Sequence, residues 1–378
     1  VVGLCHAESE SYSVNALGQR IARLIEAQGP LSVAQFMTMA LHDPQGGYYA
    51  TRDPFGTQGD FITAPEISQM FGELLGLWIV QCWHDQGKPS PARLVELGPG
   101  RGTLMADALR AARLVPEFLA AIEVVMVENS AALAAVQKET LKVSPAKIRW
   151  AAQFDDTLTD RPLFLLANEF FDALPIRQFV KTQKGWCERM IGLDDTGALA
   201  FALAPEPSAI TTPRADAPSG AFYETSPSST ALTEQIARAI AHKGGAALIM
   251  DYGYGADAGF GETLQAVSDH KFAPVLERPG EVDLTAHVDF AALADAALSG
   301  SGVVFGPQIQ GDFLTGIGII QRAERLILAQ PKPRSNRALQ LQTDLQRQRD
   351  RLILPDQMGT LFKALAILPK GAPVPPGF

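Results

Sequence analysis

The stretch Arg93-Leu94-Val95-Glu96-Leu97-Gly98-Pro99-Gly100-Arg101-Gly102-Thr103 constrains this chain more than any other. Its apolar residues read as a buried strand that runs into a glycine loop and then into a helix over 104–113, with Thr103 placed to cap it. Gly98, Gly100 and Gly102 allow a tight turn and a close approach of backbone to ligand, because a residue without Cβ does both at little steric cost. Spacing of this kind, taken alone, also fits an ordinary turn. Three neighbouring features narrow it. Glu96 puts an acid at the carboxyl end of the strand, just before the glycines, which suits a cationic ligand. Glu128 ends the next apolar run, one strand–helix unit later, where doubly wound folds hold ribose hydroxyls. No Gly-Lys-Ser/Thr follows the glycines, so a phosphate cradle of the P-loop kind is not indicated. A ribose, a cationic sulfonium and an amino-acid end, with no phosphate, describe S-adenosylmethionine better than NAD or ATP.

Between 92 and 168 the runs alternate, with strands over 94–97, 124–127, 148–150 and 163–167 and helices over 104–113 and 131–139. Such alternation specifies an α/β fold, a mostly parallel sheet with helices on both faces. Ligands of these sheets bind beyond the carboxyl ends of the strands. The residues that follow each strand are therefore the expected site wall: Glu96 to Gly102, Glu128 and Asn129, Phe154 and Asp155, then Asn168, Glu169 and Asp172. A later strand over 246–250 ends in Asp251-Tyr252-Gly253 on the same side.

Upstream, helices over 14–28 and 32–42 break at Gly29-Pro30, with Ser32 as the second cap. A turn-rich, aromatic stretch from Asp43 to Phe61 follows, and Pro65 opens a long helix over 65–86. Tyr48, Tyr49, Asp60, Phe61, Thr63 and Glu66 are placed either to fold over a cofactor as a lid or to pack the helical pair. Strand-like runs over 176–204, with a turn at Asp194-Asp195-Thr196-Gly197, read as a β insertion that a Pro/Ala/Ser-rich loop extends to about 220. Helices over 228–242 and 286–298, a strand over 302–305 and helices near 311–328, 335–349 and 356–366 complete the chain. Three regions are expected: a helical and lid region (1–90), a core with the β insertion (91–330) and, beyond a linker at 331–337, a C-terminal helical extension on the core (331–378).

A chain of 378 residues, 47% hydrophobic and 19% charged, can bury a large core and divide into two lobes. No apolar run approaches the roughly 18 residues that span a bilayer, so no membrane insertion is expected. The short acidic start does not suit a secretory signal, and cytoplasm or mitochondrial matrix is the expected compartment. Cys5, Cys82 and Cys187 are odd in number and far apart, which indicates neither a disulfide framework nor a zinc site, and no histidine spacing suggests a metal. A formal charge of −9 argues against a nucleic-acid partner and favours a basic peptide. A homodimer is compatible with the sequence.

Several dispersed segments resemble the MidA-like proteins, whose mitochondrial member is an assembly factor of respiratory complex I. They are Gly46-Gly47-Tyr48-Tyr49, the run from Gly59 to Ser68, the loop from Glu96 to Thr103, Asn168-Glu169-Phe170-Phe171-Asp172-Ala173-Leu174-Pro175, Asp251-Tyr252-Gly253, Asp283-Leu284-Thr285-Ala286-His287 and Asp356-Gln357-Met358-Gly359-Thr360. They span nearly the whole chain in order and are more specific than the glycine loop. Thr63-Ala64-Pro65 stands where Thr-Ser-Pro is expected, a small departure. The resemblance implies a class I, Rossmann-like methyltransferase fold, S-adenosyl-L-methionine as cofactor and protein-arginine methylation of the symmetric dimethyl type. It points to the quinone-site core subunit of complex I (NADH:quinone oxidoreductase) as partner and substrate.

Methyl transfer from a sulfonium is an in-line displacement that needs proximity and orientation more than a protein nucleophile. An arginine acceptor stays protonated, and carboxylates that bind it as a fork orient it and draw its charge away from the attacking nitrogen. Glu169 and Asp172 are the expected clamp, with Asn168 adding an amide; Asp172 as a turn cap is the alternative. Glu128 is expected on the ribose, Glu96 and the glycines on the amino-acid end, with a structural hydrogen bond to the glycine turn as the rival role of Glu96, and Phe154 and Asp155 at the adenine, with a solvent-facing acid as the alternative for Asp155. Asn129, Thr103, Thr63, Pro65 and Glu66 complete the expected cofactor wall. His287 reads as a capping or core residue. A small-molecule methyltransferase and a cofactor-binding assembly chaperone without turnover are the rival functions.

Overall fold

Leu94, Val124, Phe164 and Leu248 pack on one face of a central sheet, and their chain neighbours Val95, Val125, Leu165 and Ile249 on the other, all almost fully buried. Strands covered on both faces are apolar without alternation, as parallel strands between helical layers are. This computed structural model describes residues 15–51, 63–210, 216–255, 261–268, 271–329 and 336–378. Asp60 and Phe61, and most of the expected linker at 331–337, lie outside the described residues.

The sheet is formed by β1 (Ala92–Leu97), β2 (Ile122–Val127), β3 (Ile148–Ala151), β4 (Leu163–Asn168), β5 (Gly245–Tyr254), β6 (Val303–Ile309) and β7 (Phe362–Leu368). Their spatial order is β6-β7-β5-β4-β1-β2-β3, and Val288–Asp289 adds a short parallel pairing to the end of β5. Strands β1 to β5 pair in parallel, and β7 runs antiparallel to both its neighbours. The order turns outward in both directions from between β1 and β4, so the carboxyl ends of those two strands flank the switch point where such sheets bind ligands. One face carries α1 (Gln69–Asp85) and α2 (Thr103–Ala112); α3 (Ala131–Thr140) connects β2 to β3; α4 (Pro227–Lys243) and α5 (Phe290–Ser299) cover the other face.

Three helical expectations are corrected. The helix over 65–86 is two helices, Ala64–Ile67 and α1, because Ser68 is extended and its hydroxyl accepts from the Met70 amide to cap α1. The helix near 311–328 is divided into Gln310–Gly316 and Ile319–Ala329. The helix over 356–366 shrinks to the single turn Met358–Leu361, and the residues after it form β7. The C-terminal stretch thus supplies a strand to the sheet as well as helices.

The chain divides into two units. One comprises residues 52–176, 225–263 and 285–378 and holds the sheet. The other comprises 1–51, 177–224 and 264–284. In the latter, helix Ala16–Gln28 is capped by Asn15, whose amide also donates to Glu281, and helix Val33–His42 starts in a full capping box between Ser32 and Gln35. Its antiparallel sheet joins Leu31–Ser32, Gly185–Leu193, Arg177–Thr182 and Phe222–Thr225 in that order, with Leu199–Leu203 also paired to Gly185–Leu193. Tyr48 is fully buried within this unit, and the Tyr49 hydroxyl donates to Asp283.

Candidate functional site

Beyond β1 the backbone turns through Gly98, Gly100 and Gly102, whose φ angles of 58°, 54° and 81° lie in the left-handed region that favours glycine. Space reinforces conformation at Gly98, where a Cβ would lie 2.7 Å from the Phe170 ring. Gly102 itself is the N-cap of α2, so Thr103 is the first helical residue and not the cap, a correction to the sequence expectation. With no capping duty, the Thr103 hydroxyl donates to Glu66 Oε1 at 2.5 Å.

The loop forms one wall of a recess. Glu96, Gly98, Gly100 and Thr103 line it from the β1 side, Asn168 and Glu169 from the end of β4, and Thr63, Pro65 and Glu66 from the segment before α1. Parts distant in sequence meet there because β1 and β4 are adjacent strands. Glu128, Asn129, Phe154, Asp155 and Asp172 do not line this recess.

Glu96 is 3% exposed, and its Oε2 has no hydrogen-bond partner. Burial holds this carboxyl well above the ordinary range. Asn168 likewise carries a buried Oδ1 without a partner, while its amide nitrogen donates to Glu169 Oε1 at 3.1 Å. The same Glu169 oxygen accepts from the Ala64 amide at 3.0 Å. Glu169 has a φ of 50°, unusual for a side-chain-bearing residue. Burial pushes its carboxyl up to about 7; the Ala64 and Asn168 donors and the charge of Arg351 oppose that rise, and the charge of Asp172 adds to it.

Asp172 stands behind this wall. It is buried, its Oδ2 accepts from the Tyr252 hydroxyl at 2.6 Å, and its Oδ1 is unpartnered. Burial raises it to about 6, against the lowering effect of the tyrosine. His287 packs its ring edge-on to Tyr252, with centroids 5.5 Å apart, in keeping with a core role.

Glu128, at the end of β2, accepts from the Ser130 amide at 2.8 Å and from the Gln137 side chain at 3.0 Å. Burial raises its carboxyl, and these donors work against that. Gln137 was not singled out from the sequence. It is fully buried on α3, donates also to Gly100 O and accepts from the Trp150 indole, so one amide joins the glycine loop, the acid after β2 and β3. A glutamine on the sheet-facing side of α3 was the only signal available. Asn129 is exposed, Phe154 packs on the second-face core, and Asp155 caps the short helix Asp156–Leu158 through the Thr157 amide.

The donor set fits S-adenosylmethionine. Two buried oxygens without partners, on Glu96 and Asn168, flank a glycine loop and call for a hydrogen-bond donor such as an ammonium group. Among the described residues no cluster of His, Cys, Asp and Glu is arranged to hold a metal, and no helix is long and apolar enough to cross a membrane.

Comparison with known proteins agrees with this geometry. The chain is 37% identical to the mitochondrial protein arginine methyltransferase NDUFAF7 of Danio rerio, covering 95% of this chain and 88% of that protein. To the Homo sapiens protein of the same name it is also 37% identical, covering 91% and 81%. A crystal structure of a Burkholderia thailandensis protein bound to S-adenosyl-homocysteine superposes with a TM-score of 0.82 at 28% identity, covering 96% of this chain and 94% of that one. The sheet order and the glycine recess are those of an S-adenosyl-L-methionine-dependent methyltransferase, and the model of such a family matches residues 74–307. The chain belongs to that family of S-adenosyl-L-methionine-dependent methyltransferases.

Proposed function

We propose that this methyltransferase modifies an arginine of a protein substrate, the quinone-site core subunit of complex I, and carries it to the symmetric dimethyl form. The observation that carries the reading is Glu169, a carboxylate fixed by two hydrogen bonds at the edge of the cofactor recess. The printed names of the curated relatives, protein arginine methyltransferases of mitochondria, support the substrate class. A bacterial cytoplasm or a mitochondrial matrix is the compartment that matches this substrate.

Bound S-adenosylmethionine supplies an electrophilic methyl group on a sulfonium. Glu96 and Asn168 would receive its ammonium end, the loop from Gly98 to Gly102 would hold its amino-acid portion, and Thr63, Pro65, Glu66 and Thr103 would close the recess. Glu128 would take the ribose, and Asn129, Phe154 and Asp155, outside the recess itself, would be the residues on the base side. Glu169 holds the guanidinium through its free oxygen, a charge-assisted bond that fixes the attacking nitrogen and draws positive charge to the far side. Asn168 steadies that carboxylate. Asp172 acts from behind the wall, as a support of the Glu169 loop.

Because Glu169 must be ionised to bind a cation, kcat/KM is expected to rise with pH through about 7 and then level off. Arginine remains protonated throughout that range and adds no second limb. The test is incubation with labelled S-adenosylmethionine and the purified subunit, followed by mass spectrometry of the product. Glu169→Gln is expected to lower kcat by roughly a hundredfold, to abolish the pH limb and to leave S-adenosylhomocysteine affinity unchanged. Full activity of that variant, or a product other than methylated arginine, would overturn the reading.

A further inference from the structure

Asp251, the residue of β5 after Met250, takes no part in the recess, yet the loop that carries Glu169 is built around it. Glu169 N donates to Met250 O at 2.9 Å. The next three amides, of Phe170, Phe171 and Asp172, all donate to Asp251 Oδ2, at 3.1, 3.0 and 3.2 Å. The other oxygen, Oδ1, accepts from Tyr252 N at 2.9 Å. Four consecutive amides are thus tied to two consecutive residues of the neighbouring strand, and a single fully buried carboxylate closes three of them. The tyrosine that follows Asp251 grips the far end of the same loop, through its hydroxyl on Asp172.

The loop needs this holding. Glu169 sits at a φ of 50°, a left-handed conformation that disfavours a residue with a Cβ and persists only where the surroundings determine it. Remove the acceptor and three amides, two of them buried, lose their partner at once, so the turn re-forms around other acceptors and Glu169 relaxes. Its carboxylate would then leave the Ala64 amide and the edge of the recess. An acid at this point in β5 contributes nothing to the sheet hydrogen bonds that a valine would not.

We propose that Asp251, with Tyr252, is a positioning residue for methyl transfer: it sets the Glu169 carboxylate at the recess by ordering the backbone of residues 169–172. This rests on the role proposed above for Glu169. Loops that present a charged group to substrate lose roughly tenfold to a hundredfold in rate when that group shifts by about 1 Å.

The experiment compares Asp251→Asn, Tyr252→Phe, Glu169→Gln and the Asp251→Asn/Glu169→Gln double variant. Each is assayed for kcat on the purified complex I subunit, for S-adenosylhomocysteine affinity by calorimetry and for amide hydrogen exchange over 169–172. In Asp251→Asn one acceptor oxygen becomes a donor facing amides, so kcat is expected to fall at least tenfold with cofactor affinity within twofold and exchange at 170–172 accelerated. In the Glu169→Gln background the same change is expected to cost less than twofold, because a residue acting through Glu169 has nothing left to position. Losses that multiply in the double variant, a matching loss of cofactor affinity, or an unchanged kcat would overturn the proposal. If Asp251→Asn does not fold, Tyr252→Phe decides: it removes the hydroxyl that meets Asp172 and Thr285, and a kcat lowered about threefold at unchanged cofactor affinity supports the brace, while an unchanged kcat refutes it. Full activity in Glu169→Gln marks failure of the arginine-clamp reading itself, and the exchange data then still report whether Asp251 orders the loop.

Discussion

Glu96 shows what one unpartnered buried carboxyl does to stability. Its buried oxygen has no partner, and burial raises its carboxyl well above the ordinary value. In the unfolded chain the group loses its proton near 4, so above that pH the folded state binds the extra proton. Stability therefore falls as pH rises from about 4 to the folded value and does not recover beyond it. Glutamine cannot titrate, so Glu96→Gln is expected to make the free protein more stable at pH 8 and indistinguishable at pH 4, as urea unfolding at the two values measures. If Glu96 receives the cofactor's ammonium group as proposed, the same change removes a charge-assisted bond worth about 1.5–3 kcal/mol and should weaken S-adenosylhomocysteine binding at least tenfold. A variant that gains no stability at pH 8 would mean that the oxygen is satisfied in solution. Glu96 and Glu169 were legible in the sequence because each follows an apolar run that has to be a buried strand. Gln137 was not, and Asp251 was legible only as a strand-end residue on the ligand side without its role, since what they hold, the glycine loop and residues 169–172, lies on other elements.

Elements fail or succeed as readings according to whether local propensity and tertiary pairing agree. The capping box at Ser32 is written in four residues, and it is found. The run Phe362-Lys363-Ala364-Leu365-Ala366-Ile367-Leu368 is rich in alanine and leucine, which favour helices, yet it lies between β5 and β6, where hydrogen-bonding edges on both sides decide the outcome. Helix α1 shows a further constraint at this scale. Its Gly72 and Gly76 face α2, where a Cβ would lie 2.7 Å from Asp107 Cβ and 2.5 Å from Ala108 Cα. The neighbour at Gly76 is backbone and cannot rotate away, so α1 and α2 touch because these positions lack side chains. Gly76→Ala would gain helix propensity, about 1 kcal/mol, on an isolated helix. In the fold it is expected to destabilise by about 1–3 kcal/mol through overpacking and to displace the amino end of α2, where Thr103 meets Glu66. Thermal unfolding with and without S-adenosylhomocysteine checks both parts, and a variant as stable as the parent would show that the two helices separate freely.

At the scale of the whole molecule, what the sequence conceals is long-range closure. The unit without the central sheet joins residues before 51 to 177–224 and 264–284, three segments that no local pattern assigns to one another. In the other unit the last strand of the chain completes the sheet that begins near residue 92, and its register fixes the site end of β5: Lys363 lies opposite Asp251 and Phe362 opposite Tyr252. Ile367 tests this closure. It is fully buried, pairs with Ala247 on one side and Val304 on the other, and packs in the core of the second face. Truncation to alanine leaves a cavity that the strands on both sides keep open, so Ile367→Ala is expected to cost about 2–5 kcal/mol of unfolding free energy. Because Ile367 lies toward the end of β5 opposite the site, the folded variant should keep the parent affinity for S-adenosylhomocysteine within twofold. Urea unfolding followed by both fluorescence and circular dichroism reads the cost, and calorimetry reads the affinity. A loss below 1 kcal/mol would mean that β7 stands outside the cooperative core, and the register it imposes on Asp251 and Tyr252 would then have to come from β4 and the Val288–Asp289 pairing.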